Sequence, residues 1–79
     1  MIPLYGFLEG DTIGLLVFAE EGDTMADLAR KLQKSAALRV APRERVRVVF
    51  KGRLLDPALP LREAGFEALD RFDVVEDRP

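Results

Sequence analysis

The segment DTMADLARKLQKSAAL constrains this chain more than any other, because it is the one long stretch whose apolar residues recur at helical spacing. Met25, Leu28, Ala29, Leu32 and Ala36 stand at i, i+3, i+4, i+7 and i+11, which draws one stripe along a helix of about three turns. Thr24 precedes the stripe and Asp27 follows three residues later, a capping-box pattern. Acidic residues gather near its start, while Arg30, Lys31 and Lys34 lie toward its end, complementing the helix dipole. A lone helix with one apolar stripe cannot bury that stripe by itself. The flanking segments must supply a sheet that covers it.

Those segments read as strands. Residues 2–8 (IPLYGFL) and 12–19 (TIGLLVFA) flank Glu9-Gly10-Asp11 and form a hairpin pattern. Pro3 lacks an N–H, so the first strand is expected to begin at or after it, or to lie there on an unpaired edge. Residues 45–50 alternate, with Val46, Val48 and Phe50 on one face and Arg45, Arg47 and Val49 on the other. Lys51-Gly52-Arg53 forms a turn and Leu54-Leu55 begins a short return strand. Residues 61–66 suit a single helical turn stopped by Gly65, and Phe66 and Leu69 are expected as core plugs. Residues 71–75 close the chain as a strand, Phe72 and Val74 facing one way and Asp73 and Val75 the other. The expected architecture is an α+β fold over residues 1–79 as a single domain: a mixed sheet of four to five strands wrapped over one helix, with the last strand beside the first.

The residue inventory narrows function. Cysteine and histidine are both absent and Ser35 is the single serine. That removes disulfides, the common metal ligands, the usual proton shuttle and the Cys or Ser-His nucleophiles. The acids scatter through turns and strand ends without pairing, so neither catalytic nor cofactor-binding nor metal-binding residues are expected. No apolar run approaches the roughly 20 residues a membrane span needs. The start, MIPLYGFLEGD, shows no secretory signal, and a cytoplasmic setting is expected.

Net charge is −2, yet the charges are sorted along the chain. Residues 1–29 hold six acids and no base, residues 30–53 nine bases and one acid, residues 54–79 seven acids and three bases. Such sorting suggests a basic face with acidic flanks and oriented docking on a partner. Nucleic acid is not the expected partner. Its binding proteins are more often basic overall, and no aromatic residue is interleaved with these arginines to stack bases.

Two features could make a docking surface. Arg45, Arg47 and Val49, with Asp73 and Val75 on the last strand, could form an outward patch; alternatively the arginines are solvated and pair across strands with acids. In the second strand Leu15 and Val17 point one way, Leu16 and Phe18 the other, so both faces are apolar. A sheet over a single helix buries only one of them. The surplus face is either covered by first-strand side chains such as Tyr5 or offered to a partner. Sequence does not say which face is inward.

DTMADLARKLQ, VVFKGRLLD and FDVV resemble the first helix, the third and fourth strands and the last strand of a ubiquitin-type β-grasp domain. That fold's carrier and modifier functions need a terminal Gly-Gly, and this chain ends Glu76-Asp77-Arg78-Pro79, so covalent conjugation is not expected. Ubiquitin itself presents an apolar patch at positions similar to Val49 and Val75. Pro3, DTMADLARK, RVAPRE with the valine-arginine strand after it, EAGF and DVVE are similar to the toluene-4-monooxygenase system protein B family, the small ubiquitin-like gamma subunit of bacterial diiron aromatic monooxygenases. The resemblance implies a partner, the larger hydroxylase subunits, bound on their surface away from the metal centre, with no catalytic residue supplied by this chain. The proline-arginine-glutamate linker and following strand also resemble the YukD-type ubiquitin-like proteins of type VII secretion, which stand as the alternative.

Overall fold

A computed structural model describes residues 1–78; Pro79, included in the expected domain, lies outside the described residues. The helix forms where the stripe requires it, as α1 (Met25–Ala36). The Thr24 hydroxyl accepts from the Asp27 N–H at 3.2 Å and the Asp27 carboxylate accepts from the Thr24 N–H at 2.9 Å, completing the capping box. Met25, Leu28, Ala29, Leu32 and Ala36 are all buried.

The strands are β1 (Ile2–Leu8), β2 (Gly14–Ala19), β3 (Val46–Phe50), β4 (Arg53–Leu54) and β5 (Arg71–Glu76), with a short helix α2 (Leu61–Ala64) before the last. They make one five-stranded sheet in the order β2-β1-β5-β3-β4. β5 lies parallel to β1 and antiparallel to β3; the other neighbours are antiparallel hairpins. The last strand does sit beside the first. Leu4, Val17, Val48, Phe72 and Val74 point to α1 and make the sheet's half of the core. Gly6 belongs to this inner face, and a Cβ there would fall 2.7 Å from the Phe72 ring and 2.8 Å from Leu32. The absence of that carbon lets helix and β5 close on β1.

Several local expectations hold. Gly65 ends α2 in the left-handed region. The turn between β3 and β4 places both Lys51 and Gly52 at positive φ, as a tight two-residue hairpin loop requires. Pro3 departs from expectation: β1 begins one residue before it, at Ile2, and Pro3 lies within the strand opposite Phe18. Its carbonyl accepts from Leu69 N, so its main chain faces the β5 side, and β5 pairing begins only at Tyr5; the missing N–H leaves no ladder bond unmade.

Four further expectations need correction. The return strand β4 is Arg53–Leu54 and not Leu54-Leu55, because the loop is only Lys51-Gly52 and Arg53 already pairs with Phe50. β2 begins at Gly14 and not at residue 12, because Asp11 N–H bonds the Leu8 carbonyl at 2.9 Å and the Asp11 carboxylate takes the Thr12 N–H, holding the chain in a turn that leaves Ile13 exposed. β3 begins at Val46, one residue later than expected. Leu69 is no core plug: it is 56% exposed at φ 68°, its N–H tied to Pro3 O at 2.6 Å, and this backbone turns its side chain outward. Phe66 is a plug, stacked on Phe50 with centroids 4.0 Å apart.

Candidate functional site: an uncovered apolar sheet face

The hairpin register settles which face of β2 is inward. Leu4 pairs with Val17 and Ile2 with Ala19 on the helix side; Tyr5 pairs with Leu16 and Pro3 with Phe18 on the other. Val17 and Ala19 are buried, whereas Tyr5, Leu16 and Phe18 are 44, 45 and 53% exposed. Tyr5 therefore does not cover the surplus face. It enlarges it, and three large side chains stand together with no described element above them.

Phe7 follows Tyr5 on the same face. Its ring lies over Gly14, its partner in the hairpin, where a Cβ would come within 2.5 Å. The Arg71 guanidinium sits over the ring with its carbon 4.0 Å from the centroid. Arg71 also forms a two-pronged pair with Asp73 at 2.9 and 3.2 Å. That hydrogen bonding raises the Arg71 pKa above its ordinary value.

Beyond this charged seam, Val49 pairs with Asp73 on one side and Leu54 on the other, and Arg47 pairs with Val75. Val49 and Val75 are half-buried and Leu54 is exposed. The seven sequence-derived residues thus fall in three places. Leu16 and Phe18 belong to β2 at one side of the sheet. Val49, Asp73, Val75 and Arg47 lie on β3 and β5. Arg45 precedes β3, exposed, in a depression of about 420 Å³ between α1 and the start of β3 that Arg30, Arg43 and Arg47 also line, with Glu44 and Asp77.

Arg47 does not meet Asp73. Arg47 Nε donates to the Leu55 carbonyl at 3.0 Å, and its nearest carboxylate is Asp77 at 3.8 Å. Asp73 is taken by its own strand neighbour. Nor do the bases make one basic face. Arg39 grips Asp11, Arg30 binds Asp27, Lys31 binds Asp23, and Arg43 donates to the Glu9 carbonyl. Three of the central segment's nine bases are thus paired with acids of the segment preceding it. These contacts hold the Asp11 and Glu9 carboxyls below their ordinary values, through the Arg39 hydrogen bond for Asp11 and chiefly through the Glu76 N–H for Glu9.

Sequence reading missed three participants: Tyr5 as contact surface, Phe7, and Arg71. The pairing of Phe7 with Gly14 would have fixed the register, since a large ring and a bare backbone suit adjacent strand positions.

Among the described residues no group of three or more acids could hold a metal ion, and no buried side-chain polar atom lacks a hydrogen-bond partner. Among the described residues no helix is long and apolar enough to cross a membrane.

Comparison with known proteins adds to this. Residues 1–75 match the family described as toluene-4-monooxygenase system protein B. A chain in the structure of a toluene 4 monooxygenase HD complex with the inhibitor 4-bromobenzoate superposes with a TM-score of 0.88 at 29% identity, covering 96% of this chain and 98% of that one. A chain from a study of SUMO mimicry in DNA repair superposes at TM-score 0.77 and 24% identity, over 94% of this chain and 89% of that one. ATBAG1 in complex with HSP70 gives TM-score 0.79 at 13% identity, over 98% of this chain and 41% of the other. The last two speak to the ubiquitin-like fold alone. No curated protein matches.

Proposed function

The chain belongs to the toluene-4-monooxygenase system protein B family, and from that membership we propose that it works by attaching the outer face of its sheet to larger hydroxylase subunits. It is an accessory subunit of an aromatic monooxygenase system. The secretion alternative is not favoured by the family match.

In this reading residues 1–79 act as one ubiquitin-like unit in the cytoplasm, without catalytic residue or cofactor of their own. The observation that carries it is the grouping of Tyr5, Leu16 and Phe18, three large side chains left uncovered in a chain whose inner face is fully packed. A patch of this kind marks an interaction surface. Burying one such Leu or Phe side chain contributes roughly 1.5–3 kcal/mol, so two or three suffice to anchor a subunit. Val49 and Val75 extend the surface beyond the Arg71–Asp73 seam, and Arg45, Arg47 and Asp73 set orientation at its rim. No chemistry is assigned to the chain itself: with no His, no Cys and no acid cluster, its contribution is positional.

Affinity purification from the native host tests this directly. The hydroxylase subunits should copurify with the wild-type chain and be lost with Phe18→Glu. Recovery of the chain with no hydroxylase subunit would sink the proposal.

A further inference from the structure

The outer side of β2 is an open sheet edge, and its hydrogen-bonding groups can be assigned from the register. β2 ends the strand order and pairs only with β1. The Tyr5 N–H donates to Asp70 O at 2.9 Å, so the Tyr5 main chain faces β5. Leu16, its partner across the hairpin, is therefore in a non-hydrogen-bonded pair and turns its N–H and C=O away from β1. Phe18, two residues on, faces the same way. Its carbonyl accepts from an outside donor, Lys31 Nζ, at 3.2 Å, as this geometry requires. Among the described residues the Leu16 N–H, the Leu16 carbonyl and the Phe18 N–H have no partner.

Natural sheets protect such edges with charges, proline or a bulge. GLLVFA has neither charge nor proline, and its register with β1 runs unbroken from Ala19 to Gly14. An apolar edge that leaves the Leu16 N–H, the Leu16 carbonyl and the Phe18 N–H unpartnered, with Lys31 closing only its Phe18 carbonyl, is a template for a further strand.

We propose that this edge receives an extended segment of the hydroxylase partner as an added β-strand. The inference rests on the docking reading above and names how the docking is made. The occupant is fixed by continuity and by area. The edge is contiguous with the Tyr5–Leu16–Phe18 face, so one large partner can add a strand and cover the face together. A second copy of this chain joined edge to edge would engage a single short strand, far less than the roughly 800 Å² per partner of a standard stable interface. The incoming segment is free of proline, bonds through its main chain to Leu16 and Phe18, and sets uncharged side chains beside theirs. Its path stops at Lys31, which is held over the Phe18 carbonyl by Asp23 at 2.6 Å, or displaces it.

Amide hydrogen exchange on the full, isotope-labelled chain, free and bound to the hydroxylase, tests the proposal. The Leu16 and Phe18 amides should exchange rapidly in the free chain and slow by about 100-fold or more in the complex. The Leu15 and Val17 amides, already bonded to β1, should be slow in both. A semisynthetic chain N-methylated at Leu16 keeps its side chain and its β1 ladder, and should bind about 10-fold more weakly. A complex in which the Leu16 and Phe18 amides stay unprotected overturns the added strand and leaves sheet-face docking standing. Absence of any complex overturns both. Protection in the free chain that rises with its own concentration identifies a second copy as the occupant and equally overturns the proposal.

Discussion

Arg71 lies across the Phe7 ring, its guanidinium carbon 4.0 Å from the centroid, while the ring itself rests on the bare backbone of Gly14. This stack, with Asp73 held at 2.9 Å from the same guanidinium, draws a charged seam down the outer face of the sheet. On one side stand Tyr5, Leu16 and Phe18; on the other, Val49, Val75 and Leu54. The seam explains why the face is two apolar areas and not one continuous hydrophobic sheet, which would invite aggregation.

Charge placed on the exposed side should cost binding and not stability. Phe18→Glu and Leu16→Glu are expected to weaken hydroxylase binding by about 10- to 100-fold, the loss of one buried apolar side chain. Unfolding free energy should change by no more than about 0.5 kcal/mol. Val49→Glu and Val75→Glu should move both quantities in the same sense. Titration calorimetry beside urea melts separates the two; a large drop in stability would show that these side chains serve the core.

Gln33 is buried, and its amide closes a two-bond clasp on Arg43, donating to the Arg43 carbonyl at 3.0 Å and accepting from the Arg43 N–H at 2.7 Å. Gln33→Ala leaves both main-chain groups short of a partner. Destabilisation of about 1–3 kcal/mol is expected in equilibrium urea unfolding. An unchanged midpoint would mean water replaces the amide at no cost.

Gly6→Ala should be costly for a different reason. The added methyl meets the Phe72 ring and Leu32, both fully buried and neither free to retreat. Overpacking of this kind destabilises by about 1–3 kcal/mol. Thermal melts check it, with Gly22→Ala, which meets nothing within 4 Å, as the control.

Leu69 holds a left-handed backbone at φ 68° with its side chain in solvent. Leu69→Gly should raise stability by about 1 kcal/mol, because glycine adopts this conformation without a Cβ penalty. A fall in melting temperature would show that the side chain contributes more than the strain costs.

The helix cap carries a pH signature. The Thr24 N–H, aided by Arg30, lowers the Asp27 carboxyl from an ordinary 3.8 to about 2. A carboxyl depressed in the folded state stabilises it fully above its unfolded pKa, and that contribution is lost as pH falls through the folded value. The loss should therefore run from about pH 4 to about pH 2. Asp27→Asn should flatten the stability profile in that window; an unaltered acid limb would assign the acid sensitivity to Glu9 and Asp11, whose carboxyls are also lowered.

How much of this was legible beforehand depended on the range of the interactions. The α1 stripe, its cap, the alternation of Val46, Val48 and Phe50 and the stop at Gly65 are local patterns, each set by neighbours a few residues away, and sequence alone determined them. So too was the absence of His and Cys. The inward face of β2 was not local. Its two faces are equally apolar, and period-2 spacing says which residues share a side but not which side meets the helix. Only the register of Tyr5 against Leu16 and the placing of β5 beside β1 decided that, through contacts between opposite ends of the chain. The arginines show the same division: their clustering and the i,i+3 pair of Arg30 with Asp27 are written in the sequence, but the attachment of Arg39 to Asp11 and of Arg43 to the Glu9 carbonyl required the fold to bring distant partners within hydrogen-bonding distance.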